Sequence, residues 1–454
     1  MASTKVIIVG AGIAGPVLGM LLNMRGYNPI VYERLPAFST AGLSLVPTLS
    51  TCFFCYTSKH AWILIYDWNL SSLQLNGLRL LSQIPDFVPN IPGRPLYQLS
   101  SYSTLSSDPG LLHSSNLPSR LAEMFGVRMT AVARHAFHRY IIDRAEEMGV
   151  PIVWGHQVDG VEELDGKAEG SNEGEEGEGG TGMVRVLFKD GGSDVGSWVI
   201  GCDGLHSGVR RAVFGEVAAD YTGVSQTGGI SPTPAILAAT PTMANFYGLG
   251  AHMIAYPVSD THTSWAVTLP EQKLKETWQA ADKHVLEEFQ SSEYANWNDG
   301  AGELIKTTEK LIKYGLYDRP ELKTWHKGRV VLLGDAAHPT SPHLGQGANQ
   351  AFSDISLLLS LLDTHNPTRT PPSTSTLSVI FTAFETERIK VSAPIVKDAR
   401  ARGEYRVMKG EKECRERNEE MRKEGDKDIV RLYARLVEEL GAGEQVMRQI
   451  EESA

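Results

Sequence analysis

The sequence predicts an α/β protein, in which a parallel sheet flanked by helices is joined to an antiparallel sheet and to C-terminal helices. A β-branched run at 5–9, an apolar helical stretch at 14–24 and a second strand at 29–33 form a β-α-β unit. Such a unit requires two parallel strands with a right-handed crossover. Short strand-like runs separated by turn residues follow within 235–269 and favour a mostly antiparallel sheet. From about residue 378 the chain has the pattern of a highly charged helix.

Composition excludes several classes of protein. The 454 residues are 42% hydrophobic, which supplies a sizeable core and excludes a wholly disordered chain. The formal charge of −11 argues against nucleic-acid binding, which usually needs a basic patch. Four cysteines are too few for a disulfide scaffold, so a reducing compartment such as the cytoplasm is expected. No run of 18 apolar residues occurs, so no membrane span is expected.

The remaining patterns set the predicted domain division. Further elements are expected as a helix at 134–148, strands within 151–164, 183–189, 235–239 and 329–334, and helices at 271–290 and 347–363. The acidic, glycine-rich stretch 169–182 is expected to be a flexible loop. The predicted units are 1–223 for the first part of the parallel-sheet domain, 224–310 for the antiparallel domain, 311–365 for the second part of the parallel-sheet domain, and 375–454 for the C-terminal helical region.

The first motif is Gly10-Ala-Gly12-Ile-Ala-Gly15, between the first strand and the first helix. Gly10 permits a tight turn, Gly12 lets the backbone approach a pyrophosphate, and Gly15 allows close packing of helix on strand. Glu33 ends the second strand, where a carboxylate can bind a ribose hydroxyl. A glycine-rich turn without a ligand is the alternative. The combination of strand, helix and carboxylate predicts dinucleotide binding.

Two later segments indicate which dinucleotide cofactor the protein binds. Residues 198–210 run from a strand pattern into Asp203-Gly204, and residues 329–349 run from a buried strand into Asp335 and a glycine-rich approach to a helix. With the first motif, in this order and at these distances, they resemble the single-component FAD-dependent aromatic monooxygenases of the para-hydroxybenzoate and salicylate hydroxylase type. The resemblance covers about residues 4–400, and the sequence is similar in type to fungal members that act in secondary metabolism. It implies a Rossmann-like FAD-binding domain and an antiparallel-sheet substrate domain.

The segment 329–349 carries two implied FAD contacts. Asp335 follows a buried strand, at the carboxyl end where ligands bind in open α/β sheets. The resemblance implies that it holds a ribityl hydroxyl, with a plain helix N-cap as the alternative. Residues 345–347 precede an apolar helix, so backbone N–H groups and the helix dipole would face an anion. The resemblance identifies this anion as the N1–C2=O edge of the reduced flavin.

Three further positions are assigned through the resemblance. Asp203-Gly204 is expected to pack against FAD and the nicotinamide nucleotide, with a strand-ending turn as the alternative. Arg134 is expected to reach the ribityl–pyrophosphate region unless it is a surface arginine. Arg34 is expected near the adenosine unless it is only exposed. The predicted FAD-binding set is Gly10, Gly12, Ala14, Gly15, Glu33, Arg34, Arg134, Asp203, Gly204, Asp335, Gly345, Gly347 and Ala348.

The resemblance also implies an activity. NAD(P)H as co-substrate reduces FAD, and the reduced flavin reacts with O₂ through a C4a-hydroperoxide to hydroxylate or epoxidise a small aromatic or polyketide-like substrate. No second nucleotide fingerprint occurs, so the nicotinamide nucleotide is expected to bind transiently. No catalytic base is assigned, because His252, Tyr247 and His262 are each more often packing or edge residues. No metal is expected, since Cys52 and Cys55 lack a second ligand pair. The oligomeric state is not predicted.

One stretch departs from the family pattern. Residues 42–45 and 76–81 match the two halves of a motif that is usually continuous, but residues 46–73 separate them. We hypothesise a retained intron or a gene-model error. The codon of Val46 can begin with GT and Leu73-Gln74 can end in CAG, as the two splice sites of an intron require. A genuine loop near the flavin is the alternative. The competing functional class is a non-catalytic or inactive flavoprotein, in which the insertion 46–73 has abolished activity.

Overall fold

The computed structural model describes residues 3–38, 70–164, 182–272, 279–280 and 283–425. Most of the suspected insertion 46–73, with its cysteine pair, and all but the last residue of the acidic stretch 169–182 therefore lie outside the described residues. Among the helices that are described, none has both the length and the apolar character needed to cross a membrane.

Twenty strands and eleven α-helices are assigned in the described chain. The strands are β1 (Lys5–Val9), β2 (Asn28–Glu33), β3 (Leu70–Leu73), β4 (Gly93–Pro95), β5 (Gln98–Ser103), β6 (Gly110–Ser115), β7 (Thr130–Ala133), β8 (Ile152–Trp154), β9 (Val158–Leu164), β10 (Met183–Phe188), β11 (Ser193–Gly196), β12 (Trp198–Gly201), β13 (Asp220–Pro232), β14 (Thr242–Tyr247), β15 (His252–Pro257), β16 (His262–Pro270), β17 (Gln279–Ala280), β18 (Ile312–Asp318), β19 (His326–Lys327) and β20 (Val330–Leu332). The helices are α1 (Ala14–Met24), α2 (Leu75–Leu81), α3 (Leu117–Phe125), α4 (Arg134–Glu147), α5 (Gly208–Phe214), α6 (Ala235–Ala238), α7 (Lys283–Gln290), α8 (Ala301–Thr307), α9 (Gly347–His365), α10 (Thr374–Arg406) and α11 (Glu411–Glu424).

The parallel sheet is built as the sequence predicts. Its strand order is β19-β20-β12-β1-β2-β8, and β20, β12, β1, β2 and β8 run parallel to one another. Only the short β19 is antiparallel, at the edge. The strands β1 and β12 are almost entirely buried, because helices cover the sheet on its faces. The largest apolar core packs these strands against α1, α4, α9 and α10.

The second sheet has eight strands in the order β17-β18-β13-β16-β15-β14-β5-β6. All neighbouring pairs are antiparallel except β14 and β5, so the predicted α/β fold class with a mostly antiparallel second sheet is confirmed. This sheet takes strands from residues 98–115 and 312–318 as well as from the predicted domain 224–310. The predicted start at Val224 falls inside β13.

Two predicted elements differ from the structure. Residues 235–239 were expected as a strand but form the short helix α6, because Pro234 precedes an alanine-rich segment that favours a helical turn. Of the helix expected at 271–290, Lys283–Gln290 is helical, and residues 273–278 and 281–282 lie outside the described residues. Gln279–Ala280 instead pairs with β18 at the edge of the second sheet, where the open ladder offers hydrogen bonds.

Candidate active site

Four neighbouring strands bring predicted site residues to one edge of the parallel sheet. In the order β20-β12-β1-β2, their carboxyl ends lead to Asp335, Asp203, Gly10 and Glu33. Ligands of open α/β sheets bind at this edge, where the strand order reverses around the first strand. Residues far apart in the chain are therefore neighbours for one topological reason.

The three glycines of the first turn have three different environments. Gly10 has a φ of +105°, and a Cβ atom placed on it would lie 2.5 Å from the carbonyl oxygen of Cys202. A Cβ atom on Gly15 would lie 2.0 Å from the carbonyl oxygen of Gly10. A Cβ atom on Gly12 would meet no atom of the described residues within 4 Å. Gly10 and Gly15 are therefore required for packing within the protein, whereas Gly12 borders open space that a ligand can use.

Glu33 and His138 hold this turn from two sides. The Ala11 backbone N–H donates to Glu33 Oε2 at 2.9 Å, and the Leu35 N–H donates to Oε1 at 3.0 Å. A carboxylate has further acceptor sites, so Glu33 can still bind a ribose hydroxyl. His138 Nε2 lies 2.6 Å from the carbonyl oxygen of Ala11 and acts as its donor. Burial lowers the pKa of His138 to about 4, so the imidazole is neutral at pH 7.

Asp203 stabilises its own turn. Its carboxylate accepts from Ser207 Oγ at 2.6 Å and from the backbone N–H groups of Gly208 and Val209 at 2.7 and 3.1 Å. These bonds fasten the N-terminus of α5, and burial raises the pKa of Asp203 against their opposing effect. The backbone of Asp203 approaches Gly10, since a Cβ atom on Gly10 would lie 2.7 Å from its Cα. The segment thus touches the turn through its backbone, while the side chain is engaged locally.

Asp335, Arg134 and Gly347 converge although they are distant in sequence. Asp335 is solvent-accessible on the wall of the cleft, and its Oδ1 lies 3.8 Å from the position of a Cβ atom on Gly347. Part of the residue is open to solvent, but the protein groups packed around its carboxyl group shield it from water and so raise the pKa of Asp335, and the nearby charges of His338 and Arg134 oppose this rise. Arg134 forms no ion pair or hydrogen bond within the described chain. Its guanidinium is available to an anion beside Asp335.

The N-terminus of α9 is braced by α2. Gly345 adopts φ +64°, and the helix begins at Gly347. Asn349 Oδ1 accepts from the Gln74 backbone N–H at 2.9 Å, and Asn349 Nδ2 donates to the Gly345 carbonyl at 2.9 Å. Gln346 Nε2 donates to Gln74 Oε1 at 2.6 Å. The backbone N–H groups that open α9 are therefore held in one orientation, as anion binding at a helix N-terminus requires.

A buried polar network below the cleft was not anticipated from the sequence. Asp354 on α9 is fully buried, and its Oδ2 accepts from the Gly334 N–H at 2.8 Å and from His338 Nε2 at 2.7 Å. Its Oδ1 accepts from Arg388 Nε on α10 at 2.6 Å. Arg388 also donates to Gln350, which donates to Gln346. We call Asp354, Arg388, His338 and Gln350 the Asp354 network. It links the loop of Asp335 to the start of α9.

The other predicted positions have less specific surroundings. Ala14 and Ala348 are half-buried at the first turns of α1 and α9. Gly204 has φ +74°, and a Cβ atom on it would meet no atom of the described residues within 4 Å. Arg34 is half-buried directly after β2. Of the three residues considered as bases, Tyr247 and His252 are fully buried in the second sheet and His262 is exposed.

The cleft fits an FAD molecule in three respects. Gly12 leaves open space at the turn, Asp335 presents a carboxylate, and Arg134 offers a guanidinium. A pyrophosphate needs close approach to backbone N–H groups and a cation, and a ribityl chain needs an acceptor for its hydroxyls. The residues present supply each of these groups.

Comparisons with known proteins place the chain in a family. The family model described as "FAD binding domain" matches residues 112–367. The chain belongs to this family, and FAD-dependent aromatic monooxygenases, a class of oxidoreductases, are its relatives in sequence and fold. The chain is therefore an FAD-dependent monooxygenase with FAD as its cofactor.

Individual relatives agree with this assignment. The chain is 26% identical over 437 residues to a 3-amino-4-hydroxybenzoate 2-monooxygenase of Streptomyces cremeus, and the alignment covers 95% of each of the two chains. It is 27% identical over 391 residues to the FAD-dependent monooxygenase pynG of Aspergillus niger, which covers 79% of both chains.

Solved structures show the same fold. HpxO of Klebsiella pneumoniae, complexed with FAD and uric acid, superposes with a TM-score of 0.73 at 21% identity and covers 99% of this chain and 96% of its own. A salicylate hydroxylase substrate complex superposes with a TM-score of 0.68 at 16% identity and covers 100% of this chain and 98% of its own.

Proposed function

We propose that the protein uses NAD(P)H and O₂ to hydroxylate or epoxidise a small aromatic or polyketide-like substrate. The observation that carries this proposal is the convergence of four adjacent strand ends with the N-terminus of α9 on one cleft. The fungal relative pynG and the aromatic relatives support a place in secondary metabolism.

Each part of FAD has a partner in this assignment. The turn at Gly12 and the start of α1 would hold the pyrophosphate, and Glu33 and Arg34 would hold the adenosine. Asp335 and Arg134 would hold the ribityl region. The N–H groups at 345–348 would face the N1–C2=O edge of the ring. FAD, when bound, supplies the chemistry that accepts a hydride and activates O₂.

The protein's own residues supply orientation and exclusion of water. The Asp354 network holds the loop of Asp335 against α9, so the ribityl and ring contacts have a fixed separation. Tyr247 and His252 of the second sheet and His343 of the loop before Gly345 are buried. We assign the substrate pocket to the region between these residues and the ring site. A pocket of this kind keeps water from a reactive intermediate and orients the substrate ring.

A direct experiment is the visible absorption spectrum of the purified full-length protein before and after addition of FAD. We expect a bound-flavin spectrum, and NADH or NADPH oxidation that is stimulated by an aromatic compound and inserts one oxygen atom from ¹⁸O₂ into the product. A protein that takes up no FAD would overturn the proposal. Bound FAD without oxidation of either nucleotide, across a panel of phenols, indoles and polyketides, would instead indicate the non-catalytic flavoprotein.

Deleting residues 46–73 is expected to preserve folding and to give FAD binding at least as tight as that of the full chain. The deletion joins Leu45 to Gln74, so 42–45 would replace 70–73 in the strand that pairs with β7. Leu73 is fully buried, and Leu45 would bring the same side chain to that position. The measurements are the thermal unfolding midpoint and a FAD titration of both proteins.

The matched control is the same deletion with Leu45→Asp. A charge at the buried position costs several kcal/mol, so this variant should lose the folded state. If the simple deletion fails to fold while the full chain folds and binds FAD, residues 46–73 are a genuine part of the protein. A mature transcript that contains the codons of 46–73 would also exclude a retained intron.

A further inference from the structure

Helix α11 covers one end of the second sheet through a face that is mostly polar. Four of its residues are buried, and Met421 is the only large apolar side chain among them. The other three are Cys414, Arg417 and Asn418. Met421 packs in a small cluster with Leu112 and Tyr247, separate from the largest apolar core of the described chain. Since apolar burial holds most helices to their domain, a helix with so little of it can detach while the rest of the protein stays folded.

Asp108, in the loop between β5 and β6, is the charged group that fastens α11. Its Oδ1 accepts from Arg422 Nη2 at 2.6 Å. Its Oδ2 accepts from Arg422 Nη1 at 3.2 Å and from Asn418 Nδ2 at 2.8 Å. Burial by itself raises the pKa of Asp108, but the hydrogen bonds of Arg422 and Asn418 outweigh it and lower the pKa, so the carboxylate is charged at pH 7. One carboxylate thus makes three hydrogen bonds to two residues on successive turns of α11.

Arg417 raises the free energy of the closed position of α11. It is 2% exposed, and its guanidinium carbon lies 4.9 Å from the ring centre of Tyr247. Its Nε and Nη2 share a single acceptor, Asn418 Oδ1, at 3.4 and 3.3 Å. Its buried Nη1 has no hydrogen-bond partner among the described residues. A buried donor without a partner is costly, so lifting α11 into water restores the hydration of this donor and offsets part of the contacts that are lost.

Tyr247 connects α11 to the assigned substrate pocket. It contacts Met421 and Arg417 of α11, and it is completely buried. Its ring centre also lies 4.7 Å from that of His252, which is buried as well. Tyr247 and His252 both border the region assigned to the substrate. Helix α11 therefore separates this region from solvent on the side of Tyr247.

The connection from α10 to α11 is held at one point and leaves a short hinge. Residues 407–410 join the two helices. The Gly250 N–H donates to the Met408 carbonyl oxygen at 2.7 Å, which fixes the connection to the loop between β14 and β15. Lys409 and Gly410 follow before α11 begins. Rotation about these two residues can lift α11 while α10 stays in place.

We propose that α11 is a lid over the Tyr247 side of the substrate pocket, and that Asp108 is the latch that holds this lid closed. The inference rests on the proposed function, because the pocket is the one assigned there. When α11 lifts about residues 409–410, Asp108 loses its bonds to Arg422 and Asn418, and Tyr247 becomes accessible. When α11 closes behind a substrate, it keeps water out of the pocket.

The test compares the alkylation rates of two native cysteines in the FAD-loaded full chain. Cys414 lies on the buried face of α11, Cys202 directly follows β12 in the parallel sheet, and burial raises the pKa of both thiols. Iodoacetamide is the probe, mass spectrometry of the two peptides gives the rates, and each rate is divided by its value in urea-unfolded protein. Because the lid opens while the parallel sheet stays folded, Cys414 should react at least about tenfold faster than Cys202. A smaller ratio would show that α11 leaves only when the whole protein unfolds, and it overturns the proposal.

Variants then locate the latch. Asp108→Ala should raise the alkylation rate of Cys414 by about tenfold, because charge-assisted bonds to α11 are lost, while the rate of Cys202 and the FAD affinity stay unchanged. The matched control is Glu416→Ala, because Glu416 lies on α11 but is 63% exposed and pairs with Lys412 of the same helix. A Cys414 rate that is unchanged in Asp108→Ala, or that rises equally in Glu416→Ala, overturns the latch.

A covalent lock tests whether substrate passes under α11. Asn418 Nδ2 and Ser103 Oγ are 2.9 Å apart, so Ser103→Cys with Asn418→Cys can form a disulfide bond, in a Cys414→Ser background that prevents mispairing. In the oxidised protein, the phenols, indoles and polyketides of the panel should no longer stimulate NAD(P)H oxidation, and dithiothreitol should restore the stimulation while FAD uptake is the same in both forms. Undiminished stimulation in the locked protein overturns α11 as the entrance.

The alkylation rates require neither NAD(P)H nor O₂. If no compound stimulates even the unmodified protein, the proposed function fails, while the rates of Cys414 and Cys202 still decide whether α11 is a latched lid. Equal rates in a protein that hydroxylates its substrate remove only this inference. If the double-cysteine variant fails to fold or to form its disulfide, the rates measured on the unmodified protein remain decisive.

Discussion

Replacing Asp354 by alanine is expected to lower the free energy of unfolding by about 3–5 kcal/mol, the cost of removing one partner from a buried ion pair. Asp354 is fully buried and compensates Arg388, whose side chain is only 5% exposed. Its removal would leave a buried guanidinium, and it would also leave the Gly334 N–H without its acceptor. Urea unfolding of the wild type and the variant measures the loss.

The matched control for this prediction is Asp363→Ala on the same helix. Asp363 is 38% exposed and pairs with Arg25 and Arg369 at the surface. Surface ion pairs contribute about 0–1 kcal/mol, so the control should remain near the wild type. Equal losses in the two variants would show that the Asp354 network contributes no more to the free energy of unfolding than a surface ion pair. FAD affinity should also fall in Asp354→Ala, because the loop of Asp335 loses its anchor.

The pKa of Asp354 predicts how the stability of the protein changes at acid pH. Burial by itself raises the pKa of Asp354, but the charges and hydrogen bonds of His338 and Arg388 outweigh it and lower the pKa to about 2. A carboxyl group in the unfolded chain titrates near 4. Because the folded pKa is the lower one, Asp354 stabilises the protein above about pH 4, and this contribution is lost as the pH falls toward 2. The Asp354→Ala variant should lack this part of the pH dependence.

Replacing Gly12 by valine is expected to weaken FAD binding by about 10- to 100-fold, the equivalent of one hydrogen bond to a charged group. The side chain would occupy the open space beside the turn and keep the pyrophosphate from the backbone. Its Cβ would touch no atom of the described residues within 4 Å, so the apoprotein should unfold within about 2 °C of the wild type. A FAD titration and a thermal scan of the apoprotein measure the two effects.

The contrasting variant is Gly15→Ala. Its Cβ would lie 2.0 Å from the carbonyl oxygen of Gly10, so folding and FAD binding should be lost together. If Gly12→Val instead binds FAD as the wild type does, the pyrophosphate does not approach at Gly12. If Gly12→Val unfolds the apoprotein, the open space has a structural role.

Local patterns in the sequence were sufficient where a function depends on neighbours in the chain. The turn of Gly10, Gly12 and Gly15 follows from its position between a strand and a helix, and the structure shows the close approaches at Gly10 and Gly15 that the pattern predicts. The helices at 134–148 and 347–363 were predicted because apolar periodicity is a local property. The strand expected at 235–239 is wrong because proline and alanine favoured a helical turn over a short apolar run.

The roles of single side chains were harder to predict from the sequence. Asp203 is predicted to pack against the cofactor, which stays a prediction, and the structure shows its carboxylate bonded to Ser207 and to the start of α5. Nothing in the sequence distinguishes an aspartate that contacts a ligand from one that caps a helix, because both follow a strand and precede a turn. Asp335, in the equivalent position on β20, remains accessible in the cleft.

The sequence by itself determined the fold class, the dinucleotide-binding turn and the family resemblance, because each depends on local patterns: the periods of strands and helices, and short motifs whose order along the chain can be read directly. Only the tertiary structure decided which charges meet. Asp354 and Arg388 lie on different helices, and Arg402 meets Tyr247 of the second sheet. Arginine and aspartate are surface residues by default, so their burial is invisible in composition or period. Packing of the C-terminal helices against both sheets removes these groups from water, and that step creates the Asp354 network and the contact of Arg402 with Tyr247.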